Sequence, residues 1–136
     1  MSATSSSPIA SHQLSVRVNY HETDGQRRVH HANYLNYFER GRVEMLRDAG
    51  TSYRELEDTG LMLVVSEMKI RYHSAAQFDD KLVLTTQLVE IRKVRLAHHY
   101  QIHRGEDLIV DADSIIACID STGRPKRLPQ SLLVLA

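Results

Sequence analysis

From residue 31 to residue 49 the chain has the periodicity of one long helix, and nearly everything after Gly60 alternates like strands. That imbalance limits the fold more than any other feature. Leu35, Phe38, Met45 and Ala49 fall near one another on a helix, flanked by Tyr34, Gly41 and Leu46, so one stripe of it has to leave water. Gly50 supplies a stop, and Thr51 or Ser52 can cap a short second helix, SYRELED, with Glu55 placed for a capping box if Ser52 is the cap. Residues 13–20 form a first strand in which Leu14, Val16, Val18 and Tyr20 share a face, and residues 61–73, 81–91, 94–103 and 108–119 form four more. Arg104-Gly105-Glu106-Asp107 reads as a hairpin turn, Pro125 and Pro129 end the sheet, and residues 130–135 suit a last helical turn. Helices and strands do not alternate, which argues against a doubly wound parallel sheet. The expected class is α+β, an antiparallel sheet wrapped around one long central helix. An edge strand left open by this arrangement would be covered by pairing of two chains. Gly41 inside the helix costs about 1 kcal/mol against alanine, which close approach of the helix to the sheet would explain.

Lys plus Arg and Asp plus Glu are equal at 17 each, so no overall field draws the chain to nucleic acid or to a membrane surface. With 136 residues there is room for one domain and a real core. The expected organisation is a flexible tail over 1–12 and a single domain over 13–136. Cys118 is the one cysteine and lies in the apolar run SIIACI, which fits a buried, unreactive thiol. MSATSSSPIASHQ has no apolar signal-peptide core, and no apolar run approaches the ~20 residues of a membrane-spanning helix. A cytoplasmic protein is the expectation.

The strand-to-helix junction HETDGQRRVHHANY gathers two acids, two arginines and three histidines in fourteen residues. Three readings compete. A polar, solvated turn with Asp24 accepting like a helix cap needs no ligand. A metal site would use His21, Glu22, Asp24, His30 and His31, but H-x-x-x-H and H-E-x-x-H spacings are absent, and no metal is expected. In the third reading, a helix starting near residues 29–32 aims its unpaired N–H groups at a substrate carbonyl, as an oxyanion hole does. Asp24 then approaches the same carbonyl as nucleophile or as base for water, with Tyr20 and His31 supplying hydrogen bonds or a proton.

Tyr20-x-Glu22-Thr23-Asp24, Val29-His30-His31-Ala32-Asn33-Tyr34 and Phe38-Glu39-Arg40-x-Arg42 closely resemble the hot-dog-fold acyl-CoA thioesterases, in the 4-hydroxybenzoyl-CoA thioesterase-like and YbgC-like branch. Met68 to Ala76 looks like the family's second strand and following turn, and the likeness spans about residues 14–134. The resemblance implies hydrolysis of an acyl- or aroyl-CoA to a free acid and CoA, with no cofactor beyond the CoA of the substrate. It implies a homodimer or homotetramer with the thioester at the subunit interface. Asp24 takes the catalytic carboxylate, Tyr20 and His31 the assisting pair, and the His31 N–H the carbonyl. Val29, His30 and Tyr34 belong to the same substrate-binding block, and Glu39 on the helix sometimes approaches substrate in such proteins.

One position departs from the pattern. Arg27 stands where the family usually has glycine, and arginine is strained at positive φ; Gly25 would then carry the turn's flexible point, and Arg27 or Arg28 would meet solvent or an anionic part of the substrate. Lys69 and Arg71, with Arg92, Lys93 and Arg95, are candidates for the phosphates of CoA. Glu39 with Arg42 and Arg40 with Glu44 have the spacing of helical ion pairs. Of His98 and His99, adjacent on a strand, one faces in and one out. No G-x-G-x-x-G, G-x-x-x-x-G-K-S/T or G-x-S-x-G sequence occurs, which leaves nucleotide hydrolysis and serine-hydrolase chemistry without support. The rivals are a non-catalytic hot-dog module that binds an acyl thioester or a partner protein, a hot-dog hydratase or dehydratase, and a hydrolase of acyl carrier protein thioesters.

Overall fold

The computed structural model describes residues 7–135. Strand β1 (Ala10–Arg17) leads through a 3-10 turn (Tyr20–Glu22) to helix α1 (Asn33–Asp48) and the short helix α2 (Tyr53–Asp58). Strands β2 (Leu61–Tyr72), β3 (Lys81–Ile91), β4 (Arg95–Arg104) and β5 (Asp107–Asp120) follow, and a 3-10 segment, Gln130–Leu135, ends the described chain. All five strands form one antiparallel sheet in the order β1-β3-β4-β5-β2. β1 and β2 are therefore the two edges, and α1 is the connection that carries the chain from one edge to the other.

The sheet wraps α1, as the helix stripe required. Tyr34, Tyr37 and Phe38 pack into one cluster with Val16, Leu82, Leu84, Tyr100, Ile102 and Val110 from β1, β3, β4 and β5, with Met68 and Ile70 of β2 alongside. Met45 and Leu46, two turns on, join Leu88, Leu96, Ile116 and Leu132 in a second cluster. The buried face is rotated from the expected stripe: Tyr37, Gly41 and Arg42 are inside, whereas Leu35 is 43% exposed.

Between the two clusters lies Gly41. A Cβ there would stand 2.2 Å from Thr86 Oγ1 and 2.7 Å from Leu84 Cδ2, so the helix touches β3 at a distance only glycine permits. One residue later Arg42 turns inward, donating to the Tyr100 hydroxyl at 3.0 Å, and that hydroxyl shares a 2.6 Å bond with Ser114 Oγ. The expected pair of Arg42 with Glu39 is replaced by this buried one, because the face rotation takes Arg42 out of solvent. Arg40 does not meet Glu44 either; Glu44 pairs with Arg47. His98 is buried in the same layer, opposite Ser114, while His99 bonds Asp113 on the other face. Burial, with Arg42 nearby, pushes the His98 imidazole down to about 3.

Sequence and structure differ on some boundaries. β1 starts at Ala10, paired with Leu88, so the tail expected over 1–12 gives up residues 10–12 to the sheet; residues 1–6 lie outside the described residues. Tyr20, expected on the apolar face of β1, is 76% exposed, because the strand ends at Arg17 and the 3-10 turn swings it out. Ser52 accepts from the Glu55 N–H at 3.1 Å, the cap expected of it. β2 bulges between Val65 and Glu67.

Gly41→Ala should lower the free energy of urea unfolding by about 1–3 kcal/mol, although alanine is the better helix former, because the methyl group overpacks the contact with β3. A second expectation follows from His98. Its folded pKa lies below its unfolded value of 6.5, so the unfolded chain binds the extra proton and stability falls as pH drops from about 6.5 towards 3. His98→Phe, which cannot titrate, should lose less stability than the native chain over that window in denaturation series at several pH values.

Candidate active site

A buried carboxylate organises the junction. Glu22 Oε1 accepts from the Asn19 N–H and from the Tyr37 hydroxyl, both at 2.7 Å. Its backbone carbonyl accepts from the His30 N–H at 2.9 Å and from Asn33 Nδ2 at 2.8 Å. These four bonds hold the end of β1, the loop and the first turn of α1 as one unit. Burial and the Glu22 carboxylate together hold the Tyr37 phenol far above its ordinary range, so it stays a donor.

Inside that frame residues 23–29 form a small hairpin. Thr23 bridges Val29, the Asp24 N–H donates to Arg28 O at 2.9 Å, and the Arg27 N–H donates to Asp24 O at 3.1 Å. Three-residue hairpin loops close with a residue in the left-handed region, and here that residue is Arg27, at φ 67°. Gly25 does not take a positive φ, so the idea that it relocates the flexible point is overturned. The arginine adopts what a glycine would adopt, at a cost of about 1–2 kcal/mol. Asp24 Oδ1 accepts from the Gln26 N–H at 2.8 Å, with the Arg28 N–H further off at 3.4 Å. The carboxylate is thus oriented by its own turn rather than capping α1.

The helix begins at Asn33, later than the expected start near residues 29–32, with Ala32 as its cap and no side-chain bond to the cap. Most of the junction N–H groups are spent: Val29 donates to Ala76 O, His30 to Glu22 O, Ala32 to His30 Nδ1 and Asn33 to His30 O. The His31 N–H has no acceptor among the described residues. The His31 ring is exposed and stacks on that of His30, 4.3 Å between centroids. Among the described residues no three His, Cys, Asp or Glu side chains converge on a metal position.

Two clefts flank the hairpin. One, of about 540 Å³, is lined by Arg28, Val29, His31, Tyr34, Tyr72 and His73 with Ser74 and Ala75. Tyr72 forms a wall of it, its ring 5.8 Å from that of Tyr34 and its hydroxyl 3.4 Å from His31 O. The other, of about 640 Å³, is lined by Tyr20, Thr23, Asp24, Gly25, Arg27, Gln77 and Phe78, with Tyr20 edge-on to Phe78 at 5.5 Å. The structure therefore groups Asp24 with Tyr20 in one cleft, and His31 with Val29 and Tyr34 in the other. Glu39 is exposed on α1 and Lys69 on β2. Arg71 is not a free cation for phosphate: it donates to Asp111 through Nε at 3.0 Å and Nη2 at 2.8 Å, and to Asp113 at 2.6 Å.

Residues 18–134 match the model of the thioesterase-like superfamily. The chain belongs to that superfamily. It is 33% identical over 120 residues to the acyl-CoA thioester hydrolase YbgC of Escherichia coli, covering 87% of this chain and 90% of that one. It is 36% identical over 106 residues to the acyl-CoA thioesterase YbgC of Haemophilus influenzae, covering 77% and 78%. The crystal structure of a probable thioesterase from Bartonella henselae superposes with a TM-score of 0.84 at 38% identity, over 88% of this chain and all of that one. The five-stranded sheet around one long helix is the hot-dog fold of these thioesterases.

Two features of the candidate site were not legible in the sequence. Glu22 was one of two acids in a polar run, and only its burial against Tyr37 marks it as the clasp. His73 was part of a strand pattern, and only the packing of β2 beside α1 sets it in the cleft with His31. Arg27→Gly should raise the free energy of unfolding by about 1 kcal/mol in chemical denaturation, the left-handed cost outweighing the added freedom of the unfolded chain.

Proposed function

We propose that this thioesterase-superfamily chain hydrolyses acyl- or aroyl-CoA thioesters to a free acid and CoA. The observation that carries the reading is the His31 N–H, without an acceptor among the described residues at the start of α1, in a residue that lines a cleft beside the hairpin that presents Asp24. A thioester carbonyl bound there receives a backbone donor at the positive end of a sixteen-residue helix. Charge developing on its oxygen is stabilised without any proton transfer. Asp24 supplies the carboxylate, as nucleophile or as base for water, and its Oδ1 bond to the Gln26 N–H restricts the rotamer it presents. The family likeness supports the reaction, since YbgC of Escherichia coli is an acyl-CoA thioester hydrolase by name.

Asp24 and His31 line different clefts, so a second protomer closing over the hairpin is part of the proposal. Such a dimer would join the two clefts around one thioester. Tyr20, exposed and resting on Phe78, is placed to hydrogen-bond on the Asp24 side, and Tyr34 and Val29 would wall the acyl group on the other. The alternative of a hot-dog module without turnover drew its support from Arg27. Arg27 takes the left-handed φ that glycine takes readily, which weighs against that alternative.

The test is free-thiol release from short, long and aromatic acyl-CoAs. Asp24→Asn should lower kcat by about 10²–10⁴-fold with the fold retained by circular dichroism; near-native turnover by this variant would refute the assignment.

A further inference from the structure

His73 takes no part in the chemistry above, yet its ring lines the same cleft as His31, Tyr34, Tyr72 and Arg28. Its Nε2 lies 2.7 Å from Asp111 Oδ1. Arg71 holds the other oxygen of Asp111 through two nitrogens, and Asp113 holds Arg71 in turn while its remaining oxygen meets His99 Nδ1 at 2.8 Å. The backbone is fixed as well: the N–H groups of His73 and Ser74 both donate to Ile109 O, at 2.9 and 3.1 Å. The result is an imidazole anchored at one nitrogen, with the anchor itself anchored.

A carboxylate bonded to one ring nitrogen decides which nitrogen keeps a proton. Nε2 is the nitrogen bonded to Asp111, which leaves Nδ1 without a partner among the described residues. Burial by itself would raise the Asp111 carboxyl, but the hydrogen bonds from Arg71 and His73 outweigh it and hold the group below the usual carboxylate range. Asp111 is therefore an anion throughout the neutral range. A surface ion pair is worth little on its own; a His–Asp pair with the ring 44% exposed on a cleft and the carboxylate 15% exposed behind it has the form of an acid–base dyad. The other charged or titratable groups around the ring are Arg28, His31 and Tyr72 on the cleft, with Arg71, Asp113 and His99 behind Asp111.

We propose that His73 is the proton donor to the departing thiolate, with Asp111 and Arg71 as positioning residues. The inference rests on the thioesterase reading above. Whether Asp24 attacks or activates water, cleavage of the C–S bond leaves its electron pair on sulfur. The His73 imidazolium passes its Nδ1 proton to that sulfur, giving the free thiol and a neutral ring whose Nε2–H stays on Asp111. The ring regains a proton from solvent. Where Asp24 acts as base it releases to solvent the proton taken from water. Where it attacks, water then cleaves the mixed anhydride it has formed, giving the free acid and restoring the carboxylate. One water is consumed for each acid and thiol formed.

The experiment measures kcat and KM from acidic to alkaline pH for the full chain and for His73→Gln, Asp111→Asn, Asp111→Glu and Asp24→Asn. His73→Gln should lose about a hundredfold in kcat with KM nearly unchanged, and should lack the falling alkaline limb of the native profile. Asp111→Asn should reproduce most of that loss, Asp111→Glu should recover part of it, and His73→Gln combined with Asp111→Asn should be no slower than His73→Gln. An acyl thioester of an aromatic thiol, whose thiolate departs without protonation, should restore most of the His73→Gln rate; a merely structural loss would slow both substrates equally. If His73→Gln keeps the native pH profile while Asp24→Asn is inactive, the donor assignment is overturned and the thioesterase reading stands. If the native chain releases no thiol from any thioester, both are overturned.

Discussion

The Glu22 carboxylate is the interaction on which the junction depends. A charged group removed from water has to find donors that replace its hydration, and here those donors belong to two different elements, the Asn19 backbone at the end of β1 and the Tyr37 hydroxyl on the second turn of α1. Satisfying one buried acid therefore fixes the strand end against the helix. The Glu22 carbonyl extends the clasp to His30 and Asn33. With both ends of the loop held, the intervening residues have little choice but a tight hairpin, and that hairpin forces a left-handed residue at position 27.

The second constraint is the contact of Gly41 with Thr86 and Leu84, which sets the depth at which α1 lies in the curl of the sheet. Apolar clusters sit to either side of it, and the layer between them is polar: Arg42, Tyr100, Ser114 and His98. A buried guanidinium bonded to a tyrosine hydroxyl is a costly way to fill space, but its directional bonds admit fewer alternatives than methyl groups do. Helix depth and register decide in turn where residue 31 emerges. The site at one end of α1 is thus positioned by packing near its middle.

Much of the architecture could be read directly. One amphipathic helix among alternating strands leaves few ways to bury the stripe, and β3 falls at 81–91 as the alternation requires. The Ser52 cap and the turn after Arg104 follow from local chemistry alone. The readings that changed depended on partners distant in sequence. Leu35 and Arg42 exchanged places between surface and core because α1 is rotated by its contact with β3, and Arg71 was spent on Asp111 and Asp113, some forty residues away across a strand pair.

The same division holds for the candidate site. Local spacing determined the residue types at the junction, an acid in a tight turn followed by a helix start, because turn and helix-end chemistry act over a few residues. The family likeness of residues 18–134 reinforced that reading. Only the tertiary structure decided that the His31 N–H has no acceptor among the described residues, that Asp24 and His31 line different clefts, and that His73 shares one of them. Those facts depend on which carbonyls, carboxylates and rings arrive from β2, β5 and the loop before β3, and no short-range pattern in the chain encodes such arrivals.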